Sequence, residues 1–138
     1  MKLELELNGQ TLVALDAGAL ELGDYKCVVD LRKAQERAED LAPRCKEKGV
    51  SYVHVPVTAE TWSEQDMDFL RRETARRHGK LAVVSAGGQR AAAVLLMHWG
   101  RSGVASDDDT LAKCPELEDA WKERIKSYLA RHRERKSS

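Results

Sequence analysis

The sequence is poor in the residues that punctuate or specialise a fold. It has one phenylalanine, three tryptophans and three tyrosines, so aromatics make up 5% of 138 residues. Prolines number three and cysteines three. Cys27, Cys45 and Cys114 are odd in number and widely spaced, with no Cys-x-x-Cys pair. That excludes a disulfide framework and gives no sign of a zinc or redox motif, so no metal and no cofactor is expected. It also fits a reducing, cytoplasmic compartment. No apolar run approaches the roughly 20 residues that span a bilayer. Met1-Lys-Leu-Glu-Leu-Glu-Leu7 threads charges through its leucines and does not read as the core of a signal peptide. Net charge of one sign is missing too: Lys+Arg and Asp+Glu are both 23, so nothing steers the chain toward nucleic acid or membrane. The basic end, Arg131, Arg133, Arg135 and Lys136, reads as a solvated helix end with cations well placed on the dipole.

Hydrophobic residues make up 42% and charged residues 33%, the balance of a globular chain able to bury one core. One domain over 1–138 is expected, with 1–22 a hairpin and connection and 116–138 a terminal helix and basic tail. Leu3, Leu5 and Leu7 alternate with polar residues, Asn8-Gly9 follows, and Thr11-Leu-Val-Ala14 resumes the apolar pattern. Asn-Gly between two such runs predicts a β-hairpin. Cys27-Val-Val-Asp-Leu31, Tyr52-Val-His-Val-Pro-Val57 and Leu81-Ala-Val-Val84 read as strands, the first and last buried on both faces. Pro56 is expected at its strand's exit.

Helices are predicted between these strands. Lys33 to Lys48 presents Ala34, Ala38, Leu41 and Cys45 at helical spacing, with Pro43 kinking or splitting it and Gly49 closing it. Ser63 is placed to cap a helix to about His78, with Met67, Leu70 and Thr74 on one face and Gly79 as the stop. A very apolar helix is predicted over Gln89–Arg101, broken by Gly103. Ser106-Asp-Asp-Asp109 begins a short one. Pro115 fits the first turn of a last helix carrying Leu117, Ala120, Trp121, Ile125, Tyr128 and Leu129. Strands alternating with helices predict a three-layer α/β domain with a mostly parallel central sheet.

The chemistry concentrates in Leu81-Ala-Val-Val-Ser-Ala-Gly-Gly-Gln-Arg90. A strand runs into a small-residue loop, the loop into an arginine, and the arginine into a helix. Such a turn lies at the carboxyl end of a strand, where α/β folds bind ligands. Amides at a helix start and a nearby guanidinium make an anion cradle. The expected phosphate-binding set is Ser85, Ala86, Gly87, Gly88, Gln89 and Arg90. Other residues carry milder readings. Asp30 and Arg32 read as a salt bridge bracing the loop, with ligand contact as the alternative. His54 reads as a satisfied strand-end histidine. His98 is expected to pack beside Trp99, and Trp62 to anchor its loop or line a pocket mouth. Cys27 reads as a small hydrophobe.

Ser85-Ala-Gly-Gly-Gln-Arg90 has the spacing of a Cys-x-x-Gly-x-Arg loop. Its setting resembles the dual-specificity-phosphatase-like domain of bacterial β-lactamase-hydrolase-like proteins, within the cysteine-phosphatase superfamily. Val28-Val-Asp-Leu-Arg32, Gly49-Val-Ser-Tyr-Val-His-Val-Pro-Val57 and the stretch Gly103 to Ala112 are similar to other segments of that family, in the right order over about residues 25–130.

The resemblance implies a cysteine-phosphatase-like fold. It implies a loop thiolate that attacks phosphorus, amides and an arginine that hold the phosphoryl oxygens, and an acid that protonates the leaving group. Arg90 matches the arginine and Gly88 the loop glycine. Glu60 and Asp66 are the candidate general acids. Ser85 stands at the nucleophile position, and Val84 stands where a histidine usually precedes it. A thiol of pKa about 8.5 can be drawn to a thiolate by a helix start, whereas a serine needs an adjacent base.

The function expected is therefore binding of phosphate, sulfate or a phosphorylated small molecule or protein, with catalysis impaired or dead. Four alternatives stay open: a Cys→Ser form of an active phosphatase, a rhodanese-like sulfurtransferase, a non-enzymatic interaction module docking through Trp121 and Tyr128, and a loop that is only a tight turn. Neither substrate nor oligomeric state is legible.

Overall fold

A computed structural model describes residues 2–23, 25–37, 40–58 and 62–132. The chain alternation produces a five-stranded sheet. In chain order the strands are β1 (Lys2–Leu7), β2 (Gln10–Asp16), β3 (Cys27–Asp30), β4 (Ser51–His54) and β5 (Lys80–Ser85). Their order across the sheet is β1-β2-β5-β3-β4. The hairpin partner β1 runs antiparallel to β2, and every other pairing is parallel. Asn8 and Gly9 carry φ of 51° and 79° in the two-residue turn, the positive pair that a twist-matched hairpin turn demands.

The helices are α1 (Ala42–Lys48), α2 (Glu64–Ala75), α3 (Gln89–Arg101), α4 (Asp107–Ala112) and α5 (Asp119–His132). The central strand β5 explains the three layers. Leu81 and Val83 face the core shared with α2, α3 and α5, while Ala82 and Val84 face the one shared with α1 and the 17–25 connection. Alternate residues thus enter opposite cores, and the strand reads as one unbroken apolar run. The apolar helix α3 lies over β2 and β5, with Ala91 through Leu96 fully buried. Each buried leucine removes apolar surface worth about 1.5–3 kcal/mol from water.

Some expected boundaries move. The stretch Lys33–Lys48 is no continuous helix: a 3-10 turn spans Ala34–Glu36 and α1 begins at Ala42, with Pro43 in its first turn. Proline lacks the N–H that a helix interior requires. Leu41 and Cys45 are buried, but Ala34 is exposed, and Ala38 lies outside the described residues. β4 ends at His54, before Pro56, and α2 ends at Ala75 rather than near His78. Pro115 sits in a turn before α5, not in its first turn, and Ala120 is exposed. Ser63 and Ser106 cap α2 and α4 through hydrogen bonds from Asp66 N and Asp109 N. Trp121 and Tyr128 pack inward, 9% and 2% exposed, which removes them as a docking face. Among the described residues no helix is long and apolar enough to cross a membrane. The tail residues Arg133, Arg135 and Lys136 lie outside the described residues.

Candidate functional site

The loop sits at the carboxyl end of β5, in the middle of the sheet. Ser85 is the last strand residue and α3 starts at Gln89. Gly87 and Gly88 carry φ of 79° and 87°, both in the left-handed region where a side chain is strained. This consecutive pair turns the chain sharply enough to aim the start of α3 at the strand end. The first turn of a helix has N–H groups with no intrahelical acceptor. Two loop donors are nevertheless taken. Ser85 Oγ accepts from Ala91 N at 3.1 Å, and Asp16 Oδ1 accepts from Gly87 N at 3.2 Å. The N–H groups of Ala86, Gly88 and Gln89 have no acceptor among the described residues.

Ser85 is fully buried, and its oxygen acts as an internal brace on the first turn of α3. No side chain positioned as its base is hydrogen-bonded to it among the described residues. Arg90 is also engaged. Its Nη2 donates to Glu36 Oε2 at 2.6 Å and its Nη1 to Glu36 Oε1 at 3.0 Å, a bidentate pair. Nη1 also reaches the carbonyls of Leu31 at 3.2 Å and Val57 at 2.6 Å. The arginine thus ties the exits of β3 and β4 to α3. Its Nε–H and one Nη2–H remain uncommitted among the described residues. The Arg90 hydrogen bond, working against desolvation, pulls the Glu36 carboxyl from 4.5 down to about 2.

A cavity of about 260 Å³ opens beside the loop, lined by Asp16, Gly18, Arg32, Glu36 and Gly87 among others. Its charge is not that of an open anion cradle. Two carboxylates line it, and its arginine is paired: Arg32 Nε meets Asp30 Oδ1 at 2.9 Å, with side chains 6% and 0% exposed. Burial works to raise the pKa of Asp30, but hydrogen bonds from Arg32 and Tyr52 outweigh it and hold the carboxyl below its usual range. Asp30 and Arg32 therefore form a brace under the loop. Tyr52 Oη donates to Asp30 Oδ2 at 2.6 Å and extends it.

The remaining candidates have other partners or lie outside the described residues. Asp66 is the capping partner of Ser63, accepting from its N at 3.1 Å and its Oγ at 2.8 Å, which fixes it at the start of α2. Glu60 lies outside the described residues. His54 Nε2 bonds Arg32 O at 2.6 Å as a strand-end brace. His98 faces Thr74 of α2 rather than the ligand edge, 3.4 Å from its Oγ1. Trp62 lines a small cleft with Met97 and Tyr128. Cys27 opens β3 at the far end of the sheet, and burial pushes its thiol up to about 11, so it is no substitute nucleophile. Among the described residues no group of three or more His, Cys, Asp or Glu is arranged to hold a metal ion.

Sequence reasoning missed Asp16 and Glu36. Asp16 is 71 residues from Gly87 in sequence, and Glu36 is 54 from Arg90. The signal for Asp16 was local: Asp-x-Gly after a strand is an Asx turn, and Gly18 N indeed points to Asp16 Oδ1 at 3.3 Å. Nothing local marked Glu36.

No family model matches the chain, and no curated protein matches it. Solved structures do. A DUF442 candidate phosphatase from Shewanella putrefaciens CN-32 is similar over 95% of this chain and 93% of its own, with a TM-score of 0.67 at 12% identity. A candidate phosphatase from Neisseria meningitidis Z2491 is similar over 91% of this chain and 96% of its own, with a TM-score of 0.67 at 17% identity. TpbA of P. aeruginosa, in a cysteine-to-serine form solved in complex with pTyr, is similar over 93% of this chain and 86% of its own, with a TM-score of 0.59 at 14% identity. At such identities the likeness speaks to architecture, and on it the chain has a cysteine-phosphatase-like fold.

Proposed function

We propose that this is a non-hydrolytic phosphatase-like domain that binds phosphate, sulfate or a phosphorylated ligand at Ser85–Arg90. One observation carries the reading. The atom at the nucleophile position, Ser85 Oγ, is buried, accepts a hydrogen bond from Ala91 N–H, and has no base hydrogen-bonded to it among the described residues. A serine attacks only when an adjacent base takes its proton. Val84 precedes it, and Asp66 is committed to capping α2. The binding half of the chemistry has better support. The amides of Ala86, Gly88 and Gln89 are uncommitted among the described residues, the helix start favours negative charge, and Arg90 keeps two N–H groups to offer. TpbA, in its serine-bearing form, holds phosphotyrosine on a similar fold.

Asp16 sets the terms of binding. Its carboxylate already sits on Gly87 N–H, so an entering oxyanion displaces it. Calorimetry with inorganic phosphate or sulfate tests this directly. Asp16→Ala is expected to tighten binding roughly tenfold by removing an internal competitor, and Arg90→Ala to abolish it. Absence of binding in both the parent and Asp16→Ala would sink the oxyanion reading. Turnover of an aryl phosphate by the unaltered protein would sink the non-hydrolytic one. A sulfurtransferase needs the same absent thiol, and the named structural neighbours are described as phosphatases or solved with phosphotyrosine.

A further inference from the structure

A cavity larger than the one beside the loop lies elsewhere in the molecule. It holds about 850 Å³ at the opposite edge of the sheet, where β2 and β5 begin. The hairpin turn, the C-terminal half of α2 with the segment after it, and the end of α3 enclose it. Its lining includes Arg71, Arg72, Arg77, His78, His98 and Asp68. In a chain of zero net charge this is a concentrated positive surface.

The acids near the cleft are already matched. Glu73 pairs with Arg77 at 2.9 Å, and Asp68 lies 3.5 Å from Arg101. Arg72 is exposed and makes no ion pair among the described residues. Gln10 fixes the wall: its Nε2 donates to the carbonyls of Thr74, at 2.6 Å, and Arg77, so the start of β2 is pinned to the end of α2. The cavity is thus built across three elements rather than being a gap between loose side chains. His98 is 6% exposed, and its Nδ1 is buried without a hydrogen-bond partner. Burial, with the nearby Arg71 and Arg101 charges, lowers its pKa to about 4, which keeps it neutral and marks the positive potential there. Leu7, Ala75 and Val104 supply an apolar part to the same lining.

We propose that this cleft is a second ligand site, for a small polyanion that carries two or more phosphoryl or similar oxyanion groups. The volume falls in the range of small-molecule sites, several hundred Å³. Several guanidinium groups lining one concavity match several oxyanions rather than one. The site is independent of the loop and does not rest on the loop's function.

The test is an NMR titration of the isotope-labelled protein with inorganic tripolyphosphate, with sodium chloride at matched ionic strength as the control. The expected result is saturable shifts of the His98 and His78 rings and the Asn8 amide, absent with chloride and retained in Arg90→Ala. Arg72→Ala is expected to weaken binding on the order of tenfold, and Arg72→Glu further. Arg72 is exposed, so both variants keep the fold, which circular dichroism confirms. Shifts confined to the Gly87 and Gly88 amides, equal shifts with chloride, or unchanged affinity in Arg72→Glu would each overturn the proposal. Inorganic phosphate in a parallel titration is expected to bind more weakly than tripolyphosphate; equal affinity would overturn the requirement for several oxyanions.

Discussion

Ser85 and Asp16 together define what chemistry the loop can be made to do. A thiol at position 85 is a poor acceptor for Ala91 N–H, so Ser85→Cys trades a brace for a nucleophile. Asp16 still holds Gly87 N–H in that variant, and a carboxylate beside the cleft opposes both a thiolate and a phosphoryl group. Ser85→Cys alone is therefore expected to be silent toward an aryl phosphate. Adding Asp16→Ala returns one backbone donor to the oxyanion, a contribution worth about 10²-fold in comparable sites, and measurable turnover is expected. Brisk turnover by Ser85→Cys alone would instead support the Cys→Ser form of an active phosphatase. The loop itself was legible because its residues are contiguous and each has a local reason to be there: glycines for positive φ, arginine for charge, small residues for close approach. Its two carboxylate partners were not, because pairing across 71 and 54 residues depends on strand order, which no local pattern encodes.

The elements divide by how much of their stability is local. Helix α3 occupies Gln89–Arg101, the span its apolar run predicts, because glycine precedes it and its residues serve the core almost without interruption. The hairpin is equally faithful to its Asn-Gly turn. Lys33–Lys48 is split at Pro43, one of the two outcomes its proline predicts, whereas Pro115 lies in a turn before α5 rather than in its first turn. At the far end of α3, Gly100 is a contact point between helices. A Cβ built there would meet Thr110 Cγ2 of α4 at 3.0 Å and both Leu129 methyls of α5 at 3.1 Å. Gly100→Val is expected to cost about 1–3 kcal/mol by overpacking, read as a lowered midpoint in urea. An unchanged midpoint would mean that α4 and α5 yield freely.

At the scale of the molecule, pH acts through His98 at one end of the strands and through paired carboxylates, Glu36 and Asp30, at the other. His98 titrates near 4 when folded, below its ordinary 6.5, chiefly because burial disfavours its charged form. The unfolded chain takes up that proton first. Stability is therefore full above about pH 6.5 and falls as pH drops through 6.5 to 4, by as much as about 3 kcal/mol. Glu36, held near 2 by Arg90, contributes stability that is present above its ordinary 4.5 and lost as pH falls toward 2. His98→Gln is expected to flatten the upper window alone in urea denaturations across pH, and Glu36→Gln to reduce the slope of the lower one, which Asp30 shares. A single shared window, or His98→Gln leaving the upper slope intact, would contradict the assignment.

The three thiols carry one more implication. Cys27, Cys45 and Cys114 are all buried, and burial raises each above its ordinary pKa, Cys27 and Cys114 to about 11. A thiolate, not a thiol, attacks a maleimide, so the native fold shields all three from it both sterically and chemically. Alkylation then counts openings of the structure. Cys27 reports the start of β3, Cys45 the α1 layer and Cys114 the join between α4 and α5. The chain carries its own clock for how often each layer comes apart, with no residue changed.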